Sequence, residues 1–317
     1  MIRKIFSVFV LIVMLLTLVA CGADKEETQQ VENAEQPNEE IQQLSKGIFY
    51  EVAGGENQVY LFGSVHMGHE EMYPLDDAVE EAFTQSDVLA MELDMVNVSE
   101  FELGLEMVEL AVFNDGRSMT DIVPEEDFLK LYELVKPFGM TKDVLNQFQP
   151  WYGAMLLSEV MAQQAGVSSD YGVETYFIEQ AADMEVIGLE TVASQLYPFS
   201  LLSDESQAIY LQSSLDEVDE SEEELEELIR YWQEGDVEAF AQARDEMMQD
   251  YPTESYKEFQ NAFLDGRDEQ MSDAIEELLE SDSGNTYFVV VGSLHLAGEN
   301  SIVEQLSERG YQVDIAN

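Results

Sequence analysis

The chain has three histidines among its 317 residues, and two of them share one context. His66 closes Gly63-Ser64-Val65-His66 and His295 closes Gly292-Ser293-Leu294-His295, each directly after an apolar run. Neutral imidazole is a ligand for transition metals and a proton carrier near neutral pH. Ligands of open α/β sheets collect at the carboxyl ends of strands. A glycine there permits a tight turn and a close approach of backbone to a ligand, while the histidine enters the crevice. Two imidazoles are too few to hold an ion, so at least one carboxylate must join them. Glu92 is the candidate, because it ends the apolar run Val88-Leu89-Ala90-Met91, where a bare charge is costly. Pairing with an arginine or with backbone donors is the other reading of Glu92. Glu190 ends Val186-Ile187-Gly188-Leu189 by the same logic, or else serves the start of the helix that follows. An ion with an open position would activate water or polarise a carbonyl for hydrolysis. The alternatives for the two histidines are satisfied core rings or pH-responsive hydrogen-bonders.

Arg267 lies in Asp265-Gly266-Arg267-Asp268, one of only 13 Lys+Arg residues. It would hold a substrate carboxylate or an oxyanion, or simply pair with a nearby acid. His69 is a loop residue, at the mouth of the site or merely exposed. Trp151, Tyr152 and Met155 read as helix core. The sequence contains no Gly-x-Ser-x-Gly elbow and no phosphate loop, and its one cysteine sits near the N-terminus.

These residues need strands to carry them. Residues 48–52 and 58–63 are strand-like runs around a hairpin signal, residues 53–57. Pro74 begins a helical pattern with Leu75, Val79, Ala82 and Phe83 on one face. Residues 88–93 read as a buried strand. From about residue 100 to 280 the periodicity is helical, broken by a short strand at 186–189. Residues 286–292 form another strand, then a helix runs from about 299 to 309 and a last strand covers 311–315. The expected fold is α/β, with a sheet built from the N- and C-terminal strands and a large helical insertion between them. Nine carboxylates in residues 216–227 read as a solvated helix face, without the spacing of an EF-hand loop.

The formal charge of −54 excludes a phosphate-tracking nucleic-acid binder, and one cysteine excludes a thiolate metal cluster. Residues 1–20 have a short basic head and an apolar stretch, the pattern of a secretory signal. Leu18-Val19-Ala20-Cys21 resembles the bacterial lipobox, which places a diacylglyceryl group on Cys21 and tethers the protein outside the cytoplasm. Residues 21–46 read as an acidic, disordered spacer and residues 47–317 as the folded domain.

Residues 60–68, followed by Tyr73-Pro74-Leu75, resemble the opening of the TraB/GumN family, which includes the animal Tiki proteases. The resemblance continues through Met91-Glu92-Leu93-Asp94, residues 171–177, Gly188-Leu189-Glu190-Thr191 with Gln195, Arg267-Asp268 before Met271, and residues 290–299. It implies an α/β fold related to the haem-binding ChaN-like and erythromycin-esterase-like proteins. For the Tiki branch it also implies metal-dependent cleavage of peptides near their N-terminus, with His66 and His295 as ligands; with the lipobox-like tether, the expected function is a membrane-tethered extracytoplasmic peptidase. Glu92 and Glu190 would be supporting carboxylates and Arg267 a site arginine. Glu174 stands where many members have Asp, and Asp268 where Asn is common, and either change could retune a hydrogen bond. The metal would be Mn, Fe, Co or Zn. The alternative function is a lipoprotein that sequesters peptide or haem without turnover.

Overall fold

The computed structural model describes residues 44–98, 100–182, 184–218, 221–248 and 252–316. The signal segment, Cys21 and most of the spacer lie outside these residues. Six strands form one sheet: β1 (Ile48–Ala53), β2 (Gln58–Ser64), β3 (Val88–Met91), β4 (Glu185–Gly188), β5 (Thr286–Gly292) and β6 (Gln312–Ile315). Their order is β4-β3-β5-β2-β1-β6. β4, β3, β5 and β2 are parallel, and β1 pairs antiparallel with both β2 and β6. The sheet is therefore assembled mostly from the two ends of the chain, with the helical middle adding only β4 at one edge.

The physical reason lies in the runs themselves. All four residues of β3 and six of the seven in β5 are buried. Central parallel strands are covered on both faces, so they read as continuous apolar stretches. The edges β4 and β6 are four residues each, largely exposed, and carry Glu185 and Asp314. Short charged edges resist pairing with another chain.

The elements that flank the site are fixed by packing on that sheet. Val173, Phe177 and Ala181 are the buried face of the helix Val173–Ala181. The Phe177 ring packs edge-on to Phe62 of β2 at 5.5 Å and lies 4.9 Å from Phe288 of β5. Burying each such ring contributes about 1.5–3 kcal/mol. Trp232 joins the cluster at 5.9 Å from Phe62, and its indole N–H donates to the Gly63 carbonyl at 2.7 Å. The helix Asp265–Glu280 buries Met271, Ile275 and Leu279. Its far end is held by the β1–β2 hairpin: the Asn57 amide donates to Leu278 and Ser281 carbonyls at 2.7 and 2.6 Å.

Beyond shifts of one or two residues at strand ends, three boundaries differ from the sequence reading. The first long helix spans Asp77–Thr84, with Asp76 accepting from the Ala78 N–H at 2.9 Å, so Pro74 and Leu75 precede it. Ser45 and Lys46 are joined to the folded body, through Ser45 N–H to the Pro74 carbonyl and Lys46 N–H to the Gln233 carbonyl. The final helix is shorter, Ile302–Glu308, because Ser301 caps it. Asp219 and Glu220 of the acidic stretch lie outside the described residues; within the helix Ser221–Glu234, Glu222, Glu223, Glu226 and Glu227 are exposed and Leu225, Ile229 and Trp232 turn inward.

Candidate functional site

Four adjacent parallel strands end on one side of the sheet, and each delivers a candidate residue. Glu190 follows β4 by two residues, Glu92 follows β3 directly, His295 lies just beyond β5, and His66 lies two residues beyond β2. Register brings the last two together, since Ser64 pairs with Gly292. The Ser293 hydroxyl donates to the Ser64 carbonyl at 2.9 Å and ties the two strand ends. The helix Asp265–Glu280 supplies Arg267 and Asp268 from its first turn, and the helix Val173–Ala181 supplies Glu174 from its own.

Both histidines set Nδ1 against a carboxylate, but only the His295–Asp268 contact has the geometry of a hydrogen bond. His66 Nδ1 lies 2.5 Å from Glu174 Oε1, and His295 Nδ1 lies 2.5 Å from Asp268 Oδ1. A carboxylate at Nδ1 fixes that proton and leaves Nε2 as the free lone pair, the arrangement that orients metal-binding histidines. His66 Nε2 is buried and has no hydrogen-bond partner among the described residues. His295 Nε2 lies 3.8 Å from Glu92 Oε1. Burial pushes the His66 imidazolium towards neutrality, but Glu174, and behind it Glu92, push it back further, so its pKa rises above the ordinary value.

A buried carboxylate pair and one guanidinium form the floor. Arg267 Nη2 donates to Glu92 Oε2 and to Glu190 Oε2, each at 2.6 Å, and Nε donates to Glu190 Oε1 at 3.0 Å. The Gln195 amide donates to both carboxylates, at 3.1 and 3.3 Å. The Gly292 N–H donates to Glu92 Oε1 at 2.7 Å. Burial alone would raise the Glu92 pKa; Arg267, then the two histidines and the Gly292 N–H, instead hold it at about 2. Glu92 is thus an anion at any working pH. Both oxygens of Glu190 rest on Arg267, a placement that fixes the arginine. Arg267 keeps one buried nitrogen, Nη1, without a partner among the described residues.

The two motif glycines are needed for space. Gly292 has φ −52°, and neither glycine has a positive φ, so it is not backbone freedom that requires them. A Cβ on Gly63 would stand 2.8 Å from Ile48 Cβ and 2.8 Å from Ser293 Oγ. A Cβ on Gly292 would lie 3.3 Å from Glu92 Oε1, 3.4 Å from His295 Cδ2 and 3.8 Å from His66 Nε2. The three candidate ligands therefore face one small space that only a glycine leaves open.

The donor chemistry suits a divalent cation. Glu92, Glu174, Glu190, Asp265 and Asp268 stand against Arg244 and Arg267, a formal excess of three negative charges around the two imidazoles. Among the described residues, no three His, Cys, Asp or Glu side chains form a ready-made ligand cluster. The fit rests on the orphaned His66 Nε2, the carboxylates beside the two rings and the cradle at Gly292; the groups there that could hold an ion are the two Nε2 atoms and Glu92 Oε1.

Every residue singled out for chemistry in the folded part, His66, His295, Glu92, Glu190 and Arg267, enters this constellation, and His69 instead precedes the short turn Glu70–Met72. The sequence reading missed Arg244. Its signal was present: Phe240, Ala243, Arg244 and Met247 form the buried face of one helix, Val237–Met247, and a cation on an apolar face needs a buried partner.

The sequence profile of the TraB/PrgY/gumN family matches residues 48–315. The uncharacterised protein YbaP of Escherichia coli K12 is 25% identical over 255 residues, which cover 80% of this chain and 89% of YbaP. Human metalloprotease TIKI1 is 22% identical over 313 residues, covering 81% of this chain and 59% of TIKI1. The zebrafish (Danio rerio) metalloprotease TIKI1 is 21% identical, with 80% and 60% covered. No solved structure matches.

Proposed function

Because the chain belongs to the TraB/PrgY/gumN family, we propose that it is a metal-dependent peptidase whose ion is held by Nε2 of His66 and His295, with Glu92 at its side. The observation that carries this reading is the pair of rings at neighbouring strand ends, each with Nδ1 on a carboxylate and one with a buried, unpartnered Nε2. The distant similarity to TIKI1 metalloproteases supports the same class. When bound, the ion would supply Lewis acidity, lowering the pKa of water and polarising a carbonyl. The chain's own residues do the rest. Glu174 and Asp268 hold the Nδ1 protons and so keep both rings in one tautomer. Arg267, clamped by Glu190 and Glu92, presents Nη1 to a substrate carbonyl or carboxylate oxygen. Glu92 stays ionised and adds negative charge beside the ion. The substrate is a peptide or protein, the ion Mn, Co, Fe or Zn, and the sheet a relative of the ChaN-like and erythromycin-esterase-like arrangements.

The same proposal places the protein outside the cytoplasm, tethered to the membrane through a lipid on Cys21. It is motivated by the lipobox-like Leu18-Val19-Ala20-Cys21. Among the described residues no helix is long and apolar enough to cross a membrane.

The test is made on the chain from residue 44 onwards, stripped with chelator and offered a quenched-fluorescence peptide library with Mn²⁺, Co²⁺, Zn²⁺ or no metal. Cleavage should require one of the metals and disappear in the His66→Ala/His295→Ala variant, together with bound metal. Metal retention without cleavage would turn the reading to a peptide- or haem-binding protein. Metal binding and cleavage that survive in the double variant would end it.

A further inference from the structure

Among the described residues, His295 is backed by a guanidinium that has no counterpart at Glu174. Behind Asp268 stands Arg244, whose side chain is 2% exposed, from the helix Val237–Met247. Its Nη1 lies 2.6 Å from Asp268 Oδ2 and donates to the Leu294 carbonyl at 2.9 Å. Its Nη2 donates to Asp265 Oδ1 at 2.7 Å. One planar guanidinium thus grips both the carboxylate on His295 Nδ1 and the backbone carbonyl immediately before His295. The stem is walled in as well: Gly298 has φ +85°, and a Cβ there would lie 3.2 Å from Arg244 Cδ. Lysine offers a single ammonium and cannot reproduce a fork of this kind.

We infer that Arg244 is a positioning residue for His295, acting through Asp268 and the Leu294 carbonyl to fix the ring's orientation and its Nδ1–H tautomer. The inference rests on the peptidase reading only for its consequence, that His295 Nε2 is pre-aimed at an ion. Its geometry stands without the metal. Deleting the cation leaves a fully buried carboxylate to find another partner, and the ring then loses its fixed acceptor. Supporting groups of this order change metal affinity by about 10–100-fold.

The experiment uses the full chain in detergent, labelled with ¹⁵N-histidine; three histidines make assignment by single variants direct. In metal-free protein the His295 ring nitrogens should report one Nδ1–H tautomer. Arg244→Met should mix the tautomers. Arg244→Lys, which keeps the charge and the fold, should mix them less. Zn²⁺ affinity, measured by equilibrium dialysis, should fall about tenfold in Arg244→Met. The same change in an Asp268→Asn background should cost less than half of that factor, the remainder being what the Leu294 carbonyl contact contributes. If folded Arg244→Met and Arg244→Lys keep a single His295 tautomer and lose only melting temperature, Arg244 is packing and the inference falls. If Arg244→Met does not fold, Arg244→Lys decides by the same two readouts. If the double histidine variant still binds Zn²⁺ normally, the peptidase reading fails, while the metal-free tautomer still judges this inference.

Discussion

His66 and His295 leave adjacent parallel strands, and each sets Nδ1 2.5 Å from a carboxylate oxygen, His295 alone in hydrogen-bond geometry. In both cases the carboxylate sits in the first turn of a helix, where the macrodipole favours the anion. The surroundings then diverge. The His295 and Asp268 side chains are 3% and 0% exposed, and Arg244 stands behind them. The His66 and Glu174 side chains are 15% and 21% exposed. The His295 arm is dry and cross-braced, and its Gly292 N–H also carries Glu92. The His66 arm is held by strand and aromatic packing, and its carboxylate is partly exposed, with Oε1, the oxygen facing the ring, buried and without a hydrogen-bond partner among the described residues. One short motif, used twice, gives a fixed ring and an adjustable one. Coulomb interactions and buried hydrogen bonds gain strength as water is excluded, so equal distances do not mean equal support.

The sharpest way to break that comparison is to neutralise each carboxylate in turn. Asp268→Asn leaves Arg244 with a weaker partner in a dry site, and metal affinity should fall about 100-fold. Glu174→Gln is cushioned by solvent and should cost about tenfold or less. Equal losses, read by dialysis against Zn²⁺ or Mn²⁺, would remove the distinction between the arms.

The glycines sharpen it on two different readouts. Gly63→Ala drives a methyl into Ile48 Cβ, Ser293 Oγ and Ser293 Cα, the last at 3.1 Å. That overpacking should cost about 1–3 kcal/mol of stability by urea titration. Gly292→Ala meets nothing nearer than 3.3 Å, so stability should change by less than about 1 kcal/mol. Its methyl would nevertheless occupy the space shared by Glu92, His295 and His66, and peptide cleavage should fall at least tenfold. If Gly63→Ala proved the more damaging to cleavage at full stability, the space at Gly292 would not be the ion's.

Much of this was legible in the sequence because the relevant physics is local. β3 and β5 are buried on both faces and so are apolar throughout, which marked the sheet and its ends. Histidine is rare in this chain, so two matched contexts located the site. What was not legible depends on contacts across the fold. Arg267 read equally well as a substrate anchor or an ion pair, and only the approach of β3 and β4 places Glu92 and Glu190 on the same nitrogen. With 67 acidic residues, Asp268 and Glu174 stood out only as departures from a family pattern. Arg244 lies some fifty residues from His295, on a helix whose docking no periodicity reveals.

Acid provides the finest probe of the two arms, because they answer it with opposite signs. The Glu92 pKa is held at about 2 in the folded protein, against about 4.3 for an unfolded glutamate. Its stabilisation is therefore complete above about pH 4.5 and is lost as pH falls towards 2, a term on the order of 2–3 kcal/mol. The His66 pKa is raised, so the His66–Glu174 pair stabilises the fold below the ordinary histidine value and loses that contribution as pH rises through the folded one. Urea midpoints of metal-free protein from pH 8 to pH 3 should show both. The wild type should gain on Glu174→Gln between pH 8 and 6, then lose its advantage over Glu92→Gln below pH 4.5. Parallel curves for wild type and Glu92→Gln in acid would mean that the two histidines and Arg267 do not hold that carboxylate ionised. The His295 arm would then lack the fixed negative charge that Gly292 brings to it.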